Sequence, residues 1–325
     1  MIQTFQKLHA YFYGCNHRYD YKQTNKIKWL FANIFSRFFE WLVYWGVLIR
    51  GVAGFLPKPL NNNHAVVVSF TSFPARINTV WMVVDSLMRQ TYLPKSINLY
   101  LSIEQFPNKH NDLPQQLLRY ERLGLNIFWV EDDLKPHKKY FYISQTLNNE
   151  CFVTVDDDLL YRSDMLERVW ELHVKYPNAV CANIGRKIKM VDGVVCEYSK
   201  WESLLDNNTH SGKDILAIGC GGILYPPSFY KQTQLICDEK AIKELCLRAD
   251  DLWLKTMELI TNTPVIVKSY YATAASIPST SKSALSVTNR RKGMTGNNDQ
   301  WNALDEKFHL NNIIKNNTKN DESKH

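Results

Sequence analysis

Three consecutive carboxylates, Asp156, Asp157 and Asp158, close an apolar run, CFVTV, at residues 151–155. Neighbouring side chains on a strand point to opposite sides, so Asp156 and Asp158 share one side while Asp157 faces away. Adjacent carboxylates repel unless a cation or hydrogen bonds offset their charge. Two oxygens converging from one side suit Mn²⁺ or Mg²⁺, with substrate phosphates completing the shell. Such a metal neutralises charge building on a diphosphate leaving group. A solvated acidic turn presents the same triplet, so the rest of the chain must decide between the two.

Other chemistry-bearing residues recur at intervals. The loop TSFPARIN (71–78) carries Thr71, Ser72 and Arg76, and Glu131-Asp132-Asp133 ends another apolar run. Pro136-His137-Lys138-Lys139 supplies cations for a diphosphate, Lys138 foremost. Gly219-Cys220-Gly221-Gly222 lacks the GK[ST] of a phosphate-binding Walker loop, but its glycines permit close backbone approach. Asp250 and Asp251 open the apolar segment LWLKTMELI. One carboxylate there suits a helix cap stabilised by the dipole; the other suits proton removal from a hydroxyl. Asp250 is the expected cap and alternate base.

The elements that position these residues alternate. HAVVVSF (64–70), SINLYLS (96–102), NIFWV (126–130) and CFVTV (151–155) read as strands. Helices are expected over 79–89, 114–123, 139–146 and 164–175, the last capped by Ser163. Alternation at this spacing predicts an α/β domain with a mostly parallel, doubly wound sheet. Ligands of such sheets bind at the carboxyl ends of strands where the strand order switches, and the 71–78 loop and the aspartates occupy such ends.

Four segments in this order, VVVSFTSFPARI (66–77), VTVDDDLLYRSDML (153–166), GCGGILYPP (219–227) and ADDLWLK (249–255), resemble glycosyltransferases of the GT-A fold, particularly bacterial family-2-like enzymes. The resemblance spans roughly residues 64–305. It implies a GT-A (Rossmann-like) sheet flanked by helices, and a DxD motif holding metal and diphosphate. Asp156 then lies near ribose and metal, Asp158 is the direct ligand, and Asp157 lies beside them at the cofactor. Thr71, Ser72 and Arg76 are expected at the nucleotide base and ribose, with Asp132 against uracil. Gly221 and Gly222 face donor sugar and acceptor, and Asp251 is the base. Asn297–Trp301 could close over the donor with Arg290 and Arg291, and His309 could correspond to a metal-binding histidine found near the C-terminus of some such enzymes. The resemblance implies sugar transfer from a nucleotide-diphosphate donor, UDP-linked, to a hydroxyl of a glycan or lipid-linked acceptor in surface polysaccharide synthesis, with inversion if Asp251 is the base.

Charge separates the first sixty residues from the rest. The net charge is +7; residues 1–60 hold eight Lys/Arg against Asp20 and Glu40, leaving +1 for the remainder. This basic character is interleaved with apolar runs, which favours an anionic membrane surface over nucleic acid. Residues 29–56 have helical apolar spacing, but Glu40 and Arg50 leave too short an uncharged run for a span of about 20 residues. Trp29, Trp41 and Trp45 suit the headgroup level, and Lys22, Lys26 and Lys28 suit anionic lipid. The expectation is an in-plane or re-entrant helix on the inner face of the cell membrane; the alternative is a helix packed on the catalytic domain or a second subunit. Seven scattered cysteines without CxxC read as reduced thiols of a cytoplasmic protein. Expected divisions are a helical amphipathic extension (1–62), a catalytic domain (63–275), and a loop and polar tail (276–325).

Two other classes compete. A metal-dependent nucleotidyltransferase would carry a glycine-rich basic loop after its first strand, which TSFPARIN is not. A catalytically dead membrane-associated scaffold would have no reason to keep all four motifs.

Overall fold

The computed structural model describes residues 1–18, 26–61, 64–269, 274–283 and 296–315. Readings that fall on Lys22, Asn62, Asn63, Arg290 and Arg291, or beyond residue 315, lie outside them. In chain order the strands are β1 (Val66–Thr71), β2 (Ser96–Ser102), β3 (Leu125–Val130), β4 (Cys151–Thr154), β5 (Leu159–Tyr161), β6 (Val180–Ala182), β7 (Gly185–Lys187), β8 (Met190–Val191), β9 (Val194–Val195), β10 (Glu202–Ser203), β11 (Thr209–Gly212), β12 (Ile215–Ala217), β13 (Ile223–Tyr225), β14 (Val265–Lys268) and β15 (Ala274–Ser276).

Eight of them form a mixed central sheet in the order β11-β14-β6-β13-β4-β1-β2-β3. The β1–β2, β2–β3, β1–β4 and β6–β14 pairs are parallel, whereas β13 runs antiparallel to both β4 and β6. The β-branched runs of β1 and β4 are buried almost throughout, as strands covered on both faces must be. The chain passes outward from β1 through β2 to β3, then returns to place β4 on the other side of β1. That reversal puts the carboxyl ends of β1 and β4 side by side, with Ser69 paired to Thr154. Strand β13 enters beside β4, Ile223 opposite Thr154, and so brings the glycine segment to the same end.

Short helices replace two of the longer ones expected: Gln115–Leu118 is followed by a separate 3₁₀ turn, and the 138–146 segment divides at Tyr142. The helix Met165–Lys175 is preceded by Asp164 rather than Ser163, and Asp164 turns its carboxylate to Arg162 and Arg168 instead of capping. Within 276–325, expected as loop and tail, Asn297–Phe308 is helical and buries Trp301 and Leu304. Leu310 and Ile314, in the segment read as tail, are buried as well.

The first sixty residues fold as a pair of helices, α1 (Ile2–Arg18), which the apolar pattern did not announce, and α2 (Lys26–Val52). The pair is antiparallel: Phe5 meets Phe39, His9 meets Ser36, and Phe12 stacks on Phe35. The inner face of α2 is made of small residues, Ala32, Ser36, Val43 and Val47, all buried. Val43 and Val47 join the main core, and each such burial contributes about 1.5–3 kcal/mol. Close approach continues at Gly51, where a Cβ would lie 2.1 Å from the Trp81 ring of α3 (Val80–Leu87). Arg50 reaches fully buried Asp85 of α3, which also accepts from Arg89 and Tyr120. The bulky side of α2 faces outward, with Phe31, Ile34, Phe38, Trp41, Trp45 and Ile49 exposed. No helix among the described residues is long and apolar enough to cross a membrane.

Candidate active site

The end of β4 carries Asp156, Asp157 and Asp158 into a ring of charges drawn from four segments. Asp157 turns down under the β1 loop and is 5% exposed. One of its oxygens accepts from Ser72 Oγ at 2.5 Å and the other from the Arg76 guanidinium at 2.5 Å. The same guanidinium lies 3.0 Å from Asp158. Burial opposes the Arg76 charge, but Asp157 and Asp158 outweigh it and raise its pKa. Asp156 takes another partner: Lys139 Nζ stands 3.0 Å from it and 2.8 Å from Asp250. The Tyr161 hydroxyl accepts from the Asp156 N–H at 2.8 Å.

Asp250 and Asp251 form the first turn of the helix Asp250–Ile260. Asp250 does not cap it; its carboxylate pairs with Lys139, and Ala249 is the capping residue. Asp251 accepts from the Gly219 N–H at 3.2 Å through one oxygen, while the buried Oδ1 has no hydrogen-bond partner among the described residues. A Cβ built on Gly219 would sit 3.1 Å from that Oδ1, 3.2 Å from Lys139 Nζ and 3.7 Å from Asp156. Gly219 is therefore where the base candidate Asp251, Lys139 and Asp156 meet. Gly222 next to it has φ +83°, and a Cβ there would press on the Met165 sulfur at 2.6 Å. Gly221 is packed on Ile184.

The charge balance of this ring is negative. Five carboxylates (156, 157, 158, 250, 251) meet two cations, Arg76 and Lys139, among the described residues. Burial, then Asp156, pushes the Asp158 carboxyl up to about 6. Burial, then Asp250, pushes Asp251 up to about 8, against the pull of Lys139. Lys139 responds oppositely: burial disfavours its charge, but Asp156, Asp250 and Asp251 hold its pKa well above the usual value. Burial and Asp156 raise the Cys220 thiol to about 12. Excess buried negative charge of this kind is relieved by protons or by a cation. Asp156 Oδ1 meets Lys139 and Asp158 Oδ2 meets Arg76, so each carboxylate would offer a hard cation its other oxygen, with phosphate and water needed to complete the shell. No group of three or more His, Cys, Asp or Glu among the described residues could hold a metal by itself.

Several expectations are relocated. Thr71, Ser72 and Arg76 turn inward: Thr71 donates to the Tyr100 carbonyl at 2.8 Å, while the other two secure the aspartates. Lys138 is consumed by Asp133, and its neighbour Lys139 reaches the cluster instead. A one-residue step at the start of the short helix Lys138–Phe141 changed which lysine faces the site. Asp132 stands apart, 3.8 Å from Lys243 on the surface. Asn298 accepts from the Tyr198 N–H, Gln300 accepts from the Arg248 N–H, and Trp301 packs edge-on against Trp201. His309 is the left-handed cap of that helix, with φ 56°. All seven cysteines are free.

Sequence reasoning missed Gly219 as the floor of the site, the Tyr161 hydroxyl, and a clasp behind the triplet. In that clasp β15 pairs with β5 so that Ser276 faces Leu159, and the Ile277 N–H donates to the Asp158 carbonyl at 3.0 Å. The apolar LLY after the aspartates carried a strand signal that could have shown it.

No protein-family model and no curated protein sequence matches the chain. Solved structures similar to it include a mannosyltransferase, PcManGT from Pyrobaculum calidifontis, in complex with GDP-Man and Mn²⁺. That pair has 13% identity and a TM-score of 0.30 over 44% of this chain and 42% of the other. Another is S. aureus TarS 1-349, at 15% identity and a TM-score of 0.40 over 63% of this chain and 58% of TarS. The same TarS segment in complex with UDP gives 15% and 0.39 over 64% and 60%. The chain thus spans less than two thirds of each of these structures.

Proposed function

We propose that the chain is a metal-dependent glycosyltransferase moving a sugar from a nucleotide-diphosphate donor, UDP-linked, to an acceptor hydroxyl. The observation that carries this reading is the convergence of Asp156, Lys139 and Asp251 over Gly219, with Asp158 held beside them by Arg76, at the switch point between β1 and β4. Ligands of open α/β sheets bind at such a crevice. Asp156 and Asp158 would hold Mn²⁺ or Mg²⁺, and the bound ion would supply countercharge to the departing diphosphate.

The chain's own groups account for the remaining steps. With no side chain, Gly219 lets Asp251 Oδ1 and Lys139 Nζ stand 3.1 and 3.2 Å from where a Cβ would be, so the donor sugar lies against this pair rather than between its members. Lys139, held by Asp156 and Asp250, presents fixed positive charge where the diphosphate develops its own negative charge. Asp251 Oδ1, unpartnered and with a raised pKa, takes the acceptor proton. The acceptor oxygen forms its bond to the anomeric carbon as the bond to the diphosphate oxygen breaks, and the electron pair leaves with the diphosphate. Attack from the side opposite the leaving group inverts the anomeric centre. The basic, aromatic α1–α2 pair supports a place at an anionic membrane surface, on its cytoplasmic side, and a role in surface polysaccharide synthesis.

Release of UDP from UDP-sugars, with and without Mn²⁺, tests the class. The expected result is turnover that chelation with EDTA abolishes and Asp158→Asn lowers by about 100-fold or more. Turnover unaffected by both would remove the metal assignment.

A further inference from the structure

The α1–α2 pair has two working sides, and the inner side ends at the site. Gln6 of α1 donates to the Tyr161 carbonyl at 3.0 Å, and Tyr161 in turn supports Asp156. Glu40 of α2 accepts from the Ser276 N–H at 2.9 Å, and the next residue, Ile277, holds the Asp158 carbonyl. One helix therefore separates the strand that clasps Asp158 from the exposed side of α2. A helix with its side chains is about 10–12 Å across.

The outer side of α2 is apolar along its whole length. Phe31, Ile34, Phe38, Trp41, Trp45 and Ile49 recur every three or four residues and are 40% to 65% exposed. The stripe is bordered by exposed Lys28, Arg37 and Lys58, with Lys7 exposed on α1. Among the described residues of the pair the one acid, Glu40, is turned inward to Ser276. A second copy of the same face would bring like charges together around the apolar seam. An anionic lipid surface complements both the apolar stripe and its basic border.

Resting on the transferase reading above, we propose that the acceptor is a lipid-anchored hydroxyl, taken from an anionic bilayer on which α2 lies flat. The lipid tail stays among the acyl chains while the headgroup hydroxyl reaches Asp251 at the end of the sheet that α1 borders through Gln6 and Tyr161. Its oxygen bonds to the anomeric carbon, its proton goes to Asp251, and the nucleoside diphosphate leaves with the electron pair. A water-soluble acceptor gains nothing from this arrangement.

The test uses the full chain with phosphatidylcholine vesicles, with and without phosphatidylglycerol. Acceptor probes are dodecyl and methyl glycosides of glucose, galactose and N-acetylglucosamine. Co-sedimentation should require phosphatidylglycerol, and the double variant Phe38→Glu, Trp45→Glu should bind about tenfold more weakly or worse. With vesicles present, a dodecyl glycoside should speed UDP release about tenfold over its methyl partner, the same free energy expressed as rate. The double variant should lose that advantage while keeping the slow donor hydrolysis seen without vesicles. Equal use of both members of every pair, including none at all, would overturn the proposal, as would a variant that keeps the advantage. A wild-type dimer that the double variant breaks would give the face to a second copy and overturn it too. Absence of UDP release from every donor would bring down the transferase reading itself, and this inference with it.

Discussion

Lys139 Nζ stands 2.8 Å from Asp250 and so joins the helix Asp250–Ile260 to the end of β4, where the same ammonium meets Asp156. Neither carboxylate lies near the other in sequence, and the lysine itself is 3% exposed. Substituting Lys139→Met would leave two carboxylates facing each other without their shared cation. Removing one partner of a buried ion pair costs about 3–5 kcal/mol. Urea denaturation should show a loss of that order, and donor turnover should fall well beyond what the residual folded fraction explains.

The pH dependence of stability should report Asp251. An unfolded aspartate titrates near about 4, whereas burial and Asp250 raise the folded group to about 8. Between those values the folded chain keeps a proton that the unfolded chain has lost. Stability from this group is therefore fullest at low pH and declines as pH rises through the window. Melting temperatures of the metal-free protein should show that decline, and Asp251→Asn should flatten it. Turnover should move the other way, rising toward pH 8 as the base form appears.

Gly222 combines a positive φ with the Met165 sulfur 2.6 Å from where a Cβ would be. Gly222→Ala is expected to lower stability by about 1–3 kcal/mol through backbone strain. Met165 is itself buried in the core, so adding Met165→Ala would open a cavity, and thermal melts of the double variant should fall below those of Gly222→Ala alone.

Asp85 anchors α2 through Arg50 and is itself fully buried. Asp85→Asn removes the charge that holds Arg50 and Arg89 together. Limited proteolysis should then cut the 53–61 connection sooner, while cleavage within the central sheet stays slow. Equal protection of that connection in both proteins would mean that Val43, Val47 and Trp81 hold the pair unaided.

Much of this architecture could be read from the chain. The strands at 66–71, 96–102 and 151–154 announce themselves because both faces are buried and the runs are mostly apolar. The strand at 125–130, at the sheet edge, is read from its aromatic and β-branched residues, although only its two end residues are buried. The site was legible as a set of positions but not as a set of partners. Lys138 and Lys139 are equivalent in sequence, and the first turn of a short helix points one at Asp133 and the other at Asp156. Ser72 and Arg76 have the chemistry of nucleotide contacts, yet the buried charge of Asp157 claims them. Helix α1 was hidden because its pattern is weak; small residues on α2 and the aromatic contacts of Phe5 and Phe12 define it. The large residues of α2 gave the clear helical signal, and they are the ones turned outward.

The clasp of β15 on β5 has a consequence for synthesis. Protein domains grow from the N-terminus, at about 5–20 residues per second. The three aspartates therefore leave the ribosome more than a hundred residues before Ser276 and Ile277, which pin the segment behind them. A partly made chain carries the acidic triplet in a form that has lost its backing strand. On the proposed reading, the triplet is backed for donor binding only once Ser276 and Ile277 have been translated.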